Sequence, residues 1–197
     1  MKAIVIGAGV GGLSAGLALR RVGVEVGLFE RRRDVASLEA GTGLTLWPNA
    51  MVSLRKLGVG DEIEAGGSAL ELLEQRTWRW RELRSFDVGG LSRRGAPPTV
   101  NVSRAHLTGT LLGRLGETAP RTGRACAGFA QDDDAVTAAF EDGTQETGDL
   151  LIGADGSTPR CARSCSGRRD LGTRATPPGV ASSGSTTNAR HEVCSCS

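Results

Sequence analysis

The stretch AIVIGAGVGGLSAGLALRRVGVEVGLFE, residues 3–30, decides the fold of this chain. Residues 3–6 are a short, β-branched run of the kind found in buried parallel strands, and they lead directly into a glycine-rich turn. Residues 13–22 then have helical spacing and end before Gly23, a residue suited to a helix C-cap. Residues 24–29 form a second predicted strand. This order of strand, turn, helix and strand predicts a βαβ unit and an α/β fold class.

The turn has the spacing of a dinucleotide-binding loop. Gly7-Ala8-Gly9-Val10-Gly11-Gly12 satisfies the pattern G-x-G-x-x-G, and Glu30 ends the second strand 18 residues after Gly12. Gly7 permits the tight turn, Gly9 allows backbone to approach a pyrophosphate, and Gly12 allows the helix to pack closely. The start of the helix offers N–H groups to phosphates. The Glu30 carboxylate would accept a ribose 2′-OH and repel a 2′-phosphate. The loop therefore predicts a Rossmann-like unit that binds FAD or NAD.

Length and composition limit the remaining possibilities. The chain has 197 residues, enough for one domain or one and a half, and a net charge of +2, which demands no nucleic-acid or membrane partner. No stretch of sequence is long and apolar enough to cross a membrane. Residues 2–20 resemble a signal peptide only superficially, because their glycines fall at phosphate-loop spacing. A strand that begins at residue 3 leaves no room for a targeting sequence, so we expect a cytoplasmic protein.

Helix signals recur beyond residue 30. Pro48 can open a helix that runs to Leu57, and Asp61 can cap a second, short helix. Ser103 can cap a longer helix that runs through Leu115. Residues 89–98 are rich in glycine and proline and are predicted to be a loop.

Strand signals fill most of the remaining length. Residues 70–88 mix β-favouring residues with many charges, which is typical of solvent-exposed antiparallel strands. Trp78 and Trp80 alternate with arginines there, so we expect them to pack on one face of that sheet. Asp142-Gly143 predicts a hairpin turn, and residues 149–154, DLLIGA, predict a further buried strand.

Several further stretches resemble the FAD-dependent aromatic-ring hydroxylases, the p-hydroxybenzoate hydroxylase-like flavoprotein monooxygenases. They are Glu30-Arg31, Gly41-Thr42-Gly43-Leu44, Trp47-Pro48-Asn49-Ala50, Leu54 with Leu57-Gly58, Val102-Ser103-Arg104-Ala105-His106-Leu107, and Asp149-Leu150-Leu151-Ile152-Gly153-Ala154-Asp155-Gly156. The last two are similar to the family's Arg-x-x-Leu helix and Asp-Gly motif. All stand in the family's order over residues 1–157. The chain is thus similar to the N-terminal part of such an enzyme.

The resemblance implies a set of cofactor-binding residues: Gly7, Gly9, Gly11, Gly12, Glu30, Arg31, Gly43, Leu44, Arg104 and Asp155. The first glycines would hold the pyrophosphate, and Glu30 would hold the adenosine ribose. Gly43 and Leu44 would lie near the flavin. Arg104 would contact the phosphate or ribityl region, and Asp155 would belong to a motif linked to both FAD and the pyridine nucleotide. Catalytic residues stay unassigned, and no metal is implied.

The implied activity is hydroxylation of a small aromatic molecule by FAD, with NAD(P)H and O₂ as co-substrates. Residues 1–157 would form the FAD-binding domain, with 70–100 as partial strands of a substrate domain. The family would continue past Gly156 with a Ser and an Arg on a helix and, later, a Gly-Asp segment. Neither follows here, so we expect a truncated, inactive chain. Two alternatives stay open: a non-enzymatic fragment or pseudogene product, and an NAD-dependent dehydrogenase.

Residues 158–197 differ in composition from the rest. They hold four of the five cysteines and no aromatic residue, which predicts disorder. Read one base out of frame with suitable synonymous codons, residues 157–181 can encode HSAVRAQLFGPAGPRYTGYTSWRG, which restores the missing Ser and Arg. We therefore expect a frameshifted tail. A zinc site built from these cysteines and His191 is the weaker alternative, because the spacing is not that of common structural sites.

Overall fold

The computed structural model of the chain describes residues 1–34, 43–116 and 118–156. Its strands are β1 (Lys2–Ile6), β2 (Glu25–Phe29), β3 (Gly43–Leu46), β4 (Ser68–Ala69), β5 (Leu72–Arg76), β6 (Glu82–Asp87), β7 (Val100–Ser103), β8 (Cys126–Gln131), β9 (Val136–Phe140), β10 (Gln145–Gly148) and β11 (Leu150–Gly153). Its helices are α1 (Val10–Arg21), α2 (Pro48–Lys56), α3 (Gly60–Ala65), α4 (Gly89–Arg93) and α5 (Arg104–Leu115). The predictions for residues 158–197 lie outside the described residues.

A parallel sheet with the order β11-β1-β2 forms the centre of the fold, and α1 connects β1 to β2. The predicted βαβ unit is therefore confirmed. Helix α1 begins at Val10, three residues before the predicted start. Gly9 is its N-cap, in an extended conformation (φ −70°, ψ 179°), so Gly11 and Gly12 lie in the first helical turn. The glycine-rich pattern thus spans both the turn and the beginning of the helix.

Strand β11 is less buried in the structure than the sequence predicts. It pairs in parallel with β1, as expected for this unit, but among the described residues it is the edge of its sheet. Leu150 is 38% exposed, and Leu151 and Ile152 are half-buried. The prediction of a buried strand over residues 149–154 is wrong, because the apolar run packs fully on neither side.

Two apolar layers enclose the central sheet. On one side, α1 and α5 pack together with α2 and α3 around Leu13, Leu17, Met51, Leu107 and Leu111. On the other side, Phe29 and Phe140 meet with ring centroids 4.7 Å apart, which joins the parallel sheet to the antiparallel sheet β10-β9-β8. The predicted turn at Asp142-Gly143 connects β9 to β10. A third small sheet, β3-β7-β4, pairs the start of β3 with the end of β7.

Two predictions about short helices need correction. Helix α3 has Val59 as its N-cap, so Asp61 lies in the first turn and does not cap the helix. Residues 89–93 form the short helix α4 where a loop was predicted, and the Asp87 carboxylate accepts a hydrogen bond from the N–H of Gly90 there. No helix among the described residues has the length and apolarity needed to cross a bilayer.

The exposed antiparallel strands predicted over residues 70–88 are β5 and β6, and every residue in both is exposed. Trp78 and Trp80, however, do not pack on a face of this hairpin. They lie in the turn that joins its strands and are 83% and 77% exposed. The alternation with arginine belongs to a turn, in which neighbouring side chains have no sheet face to share.

Candidate cofactor site

The carboxyl ends of β1, β2 and β11 and the start of α5 surround an open cleft of about 430 Å³. The cleft is lined by Ile6, Gly7, Gly9, Glu30, Arg31, Arg32, Arg104, Arg124, Ala125, Cys126, Glu141, Ala154, Asp155 and Gly156. Six of the ten candidate residues are among them. In open α/β sheets, the crevice beyond the carboxyl ends of the strands is where ligands bind.

Gly7 and Gly12 are required by the packing of the loop itself. Gly7 has φ +102°, and its N–H donates to the carbonyl of Phe29 at 2.7 Å. A Cβ on Gly7 would lie 2.3 Å from the carbonyl oxygen of Ala154, and a Cβ on Gly12 would lie 1.8 Å from that of Gly7. These glycines therefore let the loop, the helix and the end of β11 come together. Gly12 is buried and does not line the cleft.

Gly9 is different, because nothing in the described part of the chain requires it to be a glycine. Its φ of −70° suits any residue, and a Cβ there would have no described atom within 4 Å. Gly9 lines the cleft, so the space that its missing side chain leaves is available to a ligand. Gly11 also has an open environment, but it is exposed and does not line the cleft.

The beginning of α1 lies beside the cleft without a side-chain cap. Gly9 supplies no side-chain acceptor, and the first turn of α1 contains no acidic residue. The first N–H groups of a helix have no partner within the helix and carry the positive end of its dipole. This end of α1 therefore suits an anion such as a phosphate.

Glu30 is buried, with 7% of its surface exposed. One carboxylate oxygen accepts the N–H of Ala8 at 2.8 Å, and the other accepts the N–H of Arg32 at 2.9 Å. The carboxylate thus joins the glycine loop to the segment after β2. Sequence reasoning assigned Glu30 to a ribose and missed this second role, which depends on a contact between residues 22 positions apart.

Arg104 and Asp155 reach the cleft from two other elements. Arg104 is the first residue of α5, and the Ser103 hydroxyl accepts the N–H of His106 at 3.1 Å, which confirms the predicted cap. Asp155 follows β11. Gly43 and Leu44 pair with Ser103 and Val102 of β7, so they lie near the start of α5 without lining the cleft.

Sequence reasoning missed the contribution of residues 121–126 and of the β9–β10 turn. The N–H of Arg124 donates to the Glu30 carbonyl at 2.8 Å, which brings Arg124 and Cys126 to the cleft. The Arg124 guanidinium lies 2.6 Å from the Asp142 carboxylate. Hydrogen bonds from the Thr144 hydroxyl and N–H, with a contribution from Arg124, hold the pKa of Asp142 below its ordinary value. No local sequence signal marks these residues, because only tertiary contacts bring them to the cleft.

The charged side chains that line the cleft are of both signs. They are four arginines, Arg31, Arg32, Arg104 and Arg124, and three carboxylates, Glu30, Glu141 and Asp155. Together with the N-terminus of α1, these charged side chains suit a ligand whose central part is negatively charged and which also carries hydroxyl groups. No group of His, Cys, Asp and Glu within residues 1–34, 43–116 and 118–156 is arranged to hold a metal ion.

The fold and the cleft define a dinucleotide-binding α/β protein. Residues 1–182 match the protein family described as FAD binding domain, and the chain belongs to this family. An FAD-dependent urate hydroxylase of Klebsiella pneumoniae is 37% identical over 158 residues, which are 80% of this chain and 41% of that protein. A 3-amino-4-hydroxybenzoate 2-monooxygenase of Streptomyces cremeus is 36% identical over 159 residues.

Solved structures show the same similarity. Klebsiella pneumoniae HpxO complexed with FAD and uric acid superposes with a TM-score of 0.71 at 36% sequence identity, over 81% of this chain and 40% of that one. This chain therefore spans about two fifths of the length of the relatives it matches.

Proposed function

We propose that this chain is the FAD-binding part of a flavoprotein monooxygenase and that it holds FAD in the cleft beside residues 7–12. The observation that carries the proposal is Gly9, which lines the cleft, is not needed by its own backbone conformation, and leaves open space beside the N-terminus of α1. Membership of the family of FAD-binding domains supports FAD over NAD as the ligand. FAD supplies the redox chemistry of such hydroxylations when it is bound.

Several residues of the cleft would bind and orient FAD. The N-terminus of α1 would face the pyrophosphate, with close approach permitted at Gly9. Glu30 keeps unused acceptor capacity on its two oxygens and would accept a ribose hydroxyl while it holds the loop through Ala8. Arg104 and Arg31 would neutralise phosphate charge, and Asp155 would orient the cofactor from the end of β11. Gly43 and Leu44 are proposed to lie toward the flavin end.

For the whole monooxygenase we propose NAD(P)H and O₂ as co-substrates and a small, aromatic organic substrate. The relatives named above act on urate or on an aminohydroxybenzoate, both small ring compounds. Because this chain spans about two fifths of their length, we propose that it binds FAD without completing the hydroxylation by itself. We propose a cytoplasmic location and no nucleic-acid partner.

The test is the flavin content of purified protein. Gly9→Val places a branched side chain in the cleft but meets no described protein atom, so we expect a folded chain with at least about 10-fold less bound flavin. Gly113→Val is the matched control, because Gly113 lies on the exposed side of α5, also with nothing within 4 Å of a Cβ. Equal flavin in the Gly9→Val variant and the parent would refute the assignment. A parent chain that binds NAD and shows no flavin absorption would favour the dehydrogenase alternative.

A further inference from the structure

The order of the strands fixes the order of the groups that line the cleft. Strands β11 and β2 lie on opposite sides of β1, so Asp155 and Glu30 lie on opposite sides of the glycine loop that follows β1. Because neighbouring strands are about 4.8 Å apart, the loop and these two carboxylates form a row across the carboxyl ends of the sheet. The cleft therefore suits an elongated ligand, with the N-terminus of α1 beside the middle of that ligand.

Residues 121–126 extend this row on the side of Glu30. The N–H of Arg121 donates to the Leu28 carbonyl at 2.8 Å, and the N–H of Glu30 donates to the Arg121 carbonyl at 3.0 Å. This pairing is parallel, so the segment lies beside the end of β2 as a further strand would. It brings Cys126 to the cleft on the far side of Glu30 from the glycine loop.

The antiparallel sheet β10-β9-β8 supports this end of the cleft from behind. The N–H of Glu141, which follows β9, donates to the Ala125 carbonyl at 2.9 Å, and the Arg124 guanidinium contacts Asp142. Cys126 is buried. The wall beyond Glu30 is thus ordered backbone held by contacts of its own, and a wall ordered in advance costs a ligand less on binding.

The chemistry of a nucleotide assigns a group to each part of this row. A base and its phosphates are attached at opposite ends of the ribose. With the diphosphate at the N-terminus of α1 and the ribose at Glu30, the base falls on the side of residues 124–126. The row therefore provides a protein surface for the base, the ribose and both phosphates of an adenosine diphosphate.

The opposite end of the cleft offers less to a flavin ring. Beyond the glycine loop, it is lined by Arg104 and residues 154–156, and none of these has a large apolar side chain. Gly43 and Leu44, the residues proposed to lie toward the flavin end, do not line the cleft. A ligand gains affinity from the apolar surface that it buries, so the described residues at this end would add little affinity for the ring. The volume of about 430 Å³ is near the lower end of the roughly 300–1,000 Å³ typical of small-molecule sites.

We propose that this chain recognises the ADP half of FAD and binds free ADP about as tightly as FAD. The inference rests on the proposed function, because it concerns the same cleft, and it adds the class of ligand: an adenosine 5′-diphosphate, whatever group its terminal phosphate carries. Arg104 would face that phosphate and compensate the additional negative charge of free ADP. The flavin ring of bound FAD stays in contact with solvent.

Titration calorimetry of the 197-residue chain with four ligands tests the proposal. We expect the Kd values of ADP and FAD to agree within about 3-fold, because a ring left in solvent adds little affinity. FMN, which carries the flavin and one phosphate, should bind at least about 100-fold more weakly than FAD, and pyrophosphate at least about 10-fold more weakly than ADP, since neither presents the base and ribose. Iodide should quench the fluorescence of bound FAD, because the ring is open to solvent.

Two variants place the ligands in the cleft. Gly9→Val should weaken the binding of ADP and of FAD by the same factor, at least about 10-fold, while Gly113→Val should change neither. FAD binding at least about 10-fold tighter than ADP binding, or displacement of FAD by equal concentrations of FMN, would overturn the inference and leave the FAD site standing. Equal binding of ADP to the parent and to Gly9→Val would overturn it as well, by placing ADP elsewhere. A folded chain that binds neither FAD nor ADP would overturn both the inference and the proposed function.

Discussion

The glycine loop at residues 7–12 and the hairpin tip at residues 77–81 meet the demands of their backbones in opposite ways. In the loop, Gly7 and Gly12 stand where any side chain would clash with a carbonyl; a Cβ on Gly12 would lie 1.8 Å from the oxygen of Gly7. At the tip, a positive φ is given to Trp80, although glycine would be free of strain there. The packing of the loop therefore requires glycine at residues 7 and 12. The backbone of the tip does not require tryptophan at residue 80.

The largest effect on stability is expected from a substitution that disrupts the packing of the glycine loop. Gly12→Val would force a side chain onto the Gly7 carbonyl, and backbone cannot yield as a flexible side chain can. We expect a loss of about 3 kcal/mol or more in the free energy of unfolding, with loss of flavin as a consequence. Thermal denaturation followed by circular dichroism measures it. Gly11→Ala, one position away in open space, is the control and should melt at or above the parent temperature. A Gly12→Val variant as stable as the parent would contradict the close approach.

The second prediction concerns the carboxylate that ties the loop in place. Glu30→Gln replaces one acceptor oxygen by a donor, so the N–H of Ala8 or of Arg32 loses its partner. An unsatisfied buried group costs about 1–3 kcal/mol, and we expect that loss even without FAD. Glu25→Gln removes an exposed carboxylate from the start of β2, the strand that Glu30 follows, and is expected to be neutral. An unchanged melting temperature for cofactor-free Glu30→Gln would show that Glu30 does not hold the loop.

This contrast also explains which parts of the molecule could be predicted from sequence. The glycine pattern of the loop and the Ser103 cap each span only a few residues, so both are visible in the sequence, and the structure confirms the βαβ unit and the cap. The Gly9 assignment stays a prediction, because it concerns a ligand.

The exposure of Leu150 and the position of Trp78 and Trp80 depend instead on which elements lie alongside, and that information is not local. Alternation of apolar and charged residues predicts a sheet face at Trp78 and Trp80, but a turn produces the same alternation. Arg124 and Cys126 reach the cleft through contacts with residues about 90 positions away, so neither spacing nor composition could have identified them.

Exchanging tryptophan and glycine between the β5–β6 turn and the β9–β10 turn tests whether the positive φ at residue 80 is a source of strain, since φ is +61° at Trp80 and +82° at Gly143. Trp80→Gly should raise the free energy of unfolding by about 1 kcal/mol, and Gly143→Trp should lower it by about 1–3 kcal/mol. In a chain of this size, each kcal/mol moves the melting temperature by about 2–4 °C. Trp78→Gly is the control, because Trp78 has a negative φ and gains nothing from glycine. If Trp80→Gly were as destabilising as Gly143→Trp, the positive φ would not be a source of strain.

The smallest expected effect concerns an ion-paired carboxylate on β10, beside the central sheet. A hydrogen bond from the Lys2 ammonium, with further attraction from Arg121 at 3.0 Å, holds the pKa of Glu146 below its ordinary value. A carboxyl whose pKa is lowered on folding stabilises the folded state above its ordinary pKa, and this contribution disappears as the pH falls through the lowered value. Glu146→Gln should therefore lower the melting temperature at pH 7, by no more than the roughly 1 kcal/mol typical of such pairs, and the difference from the parent should shrink in acid. Asp133→Asn, at an exposed position, should show no comparable pH-dependent difference. A Glu146→Gln deficit that stays constant from pH 7 to pH 3 would indicate lost packing in place of a lost charge interaction.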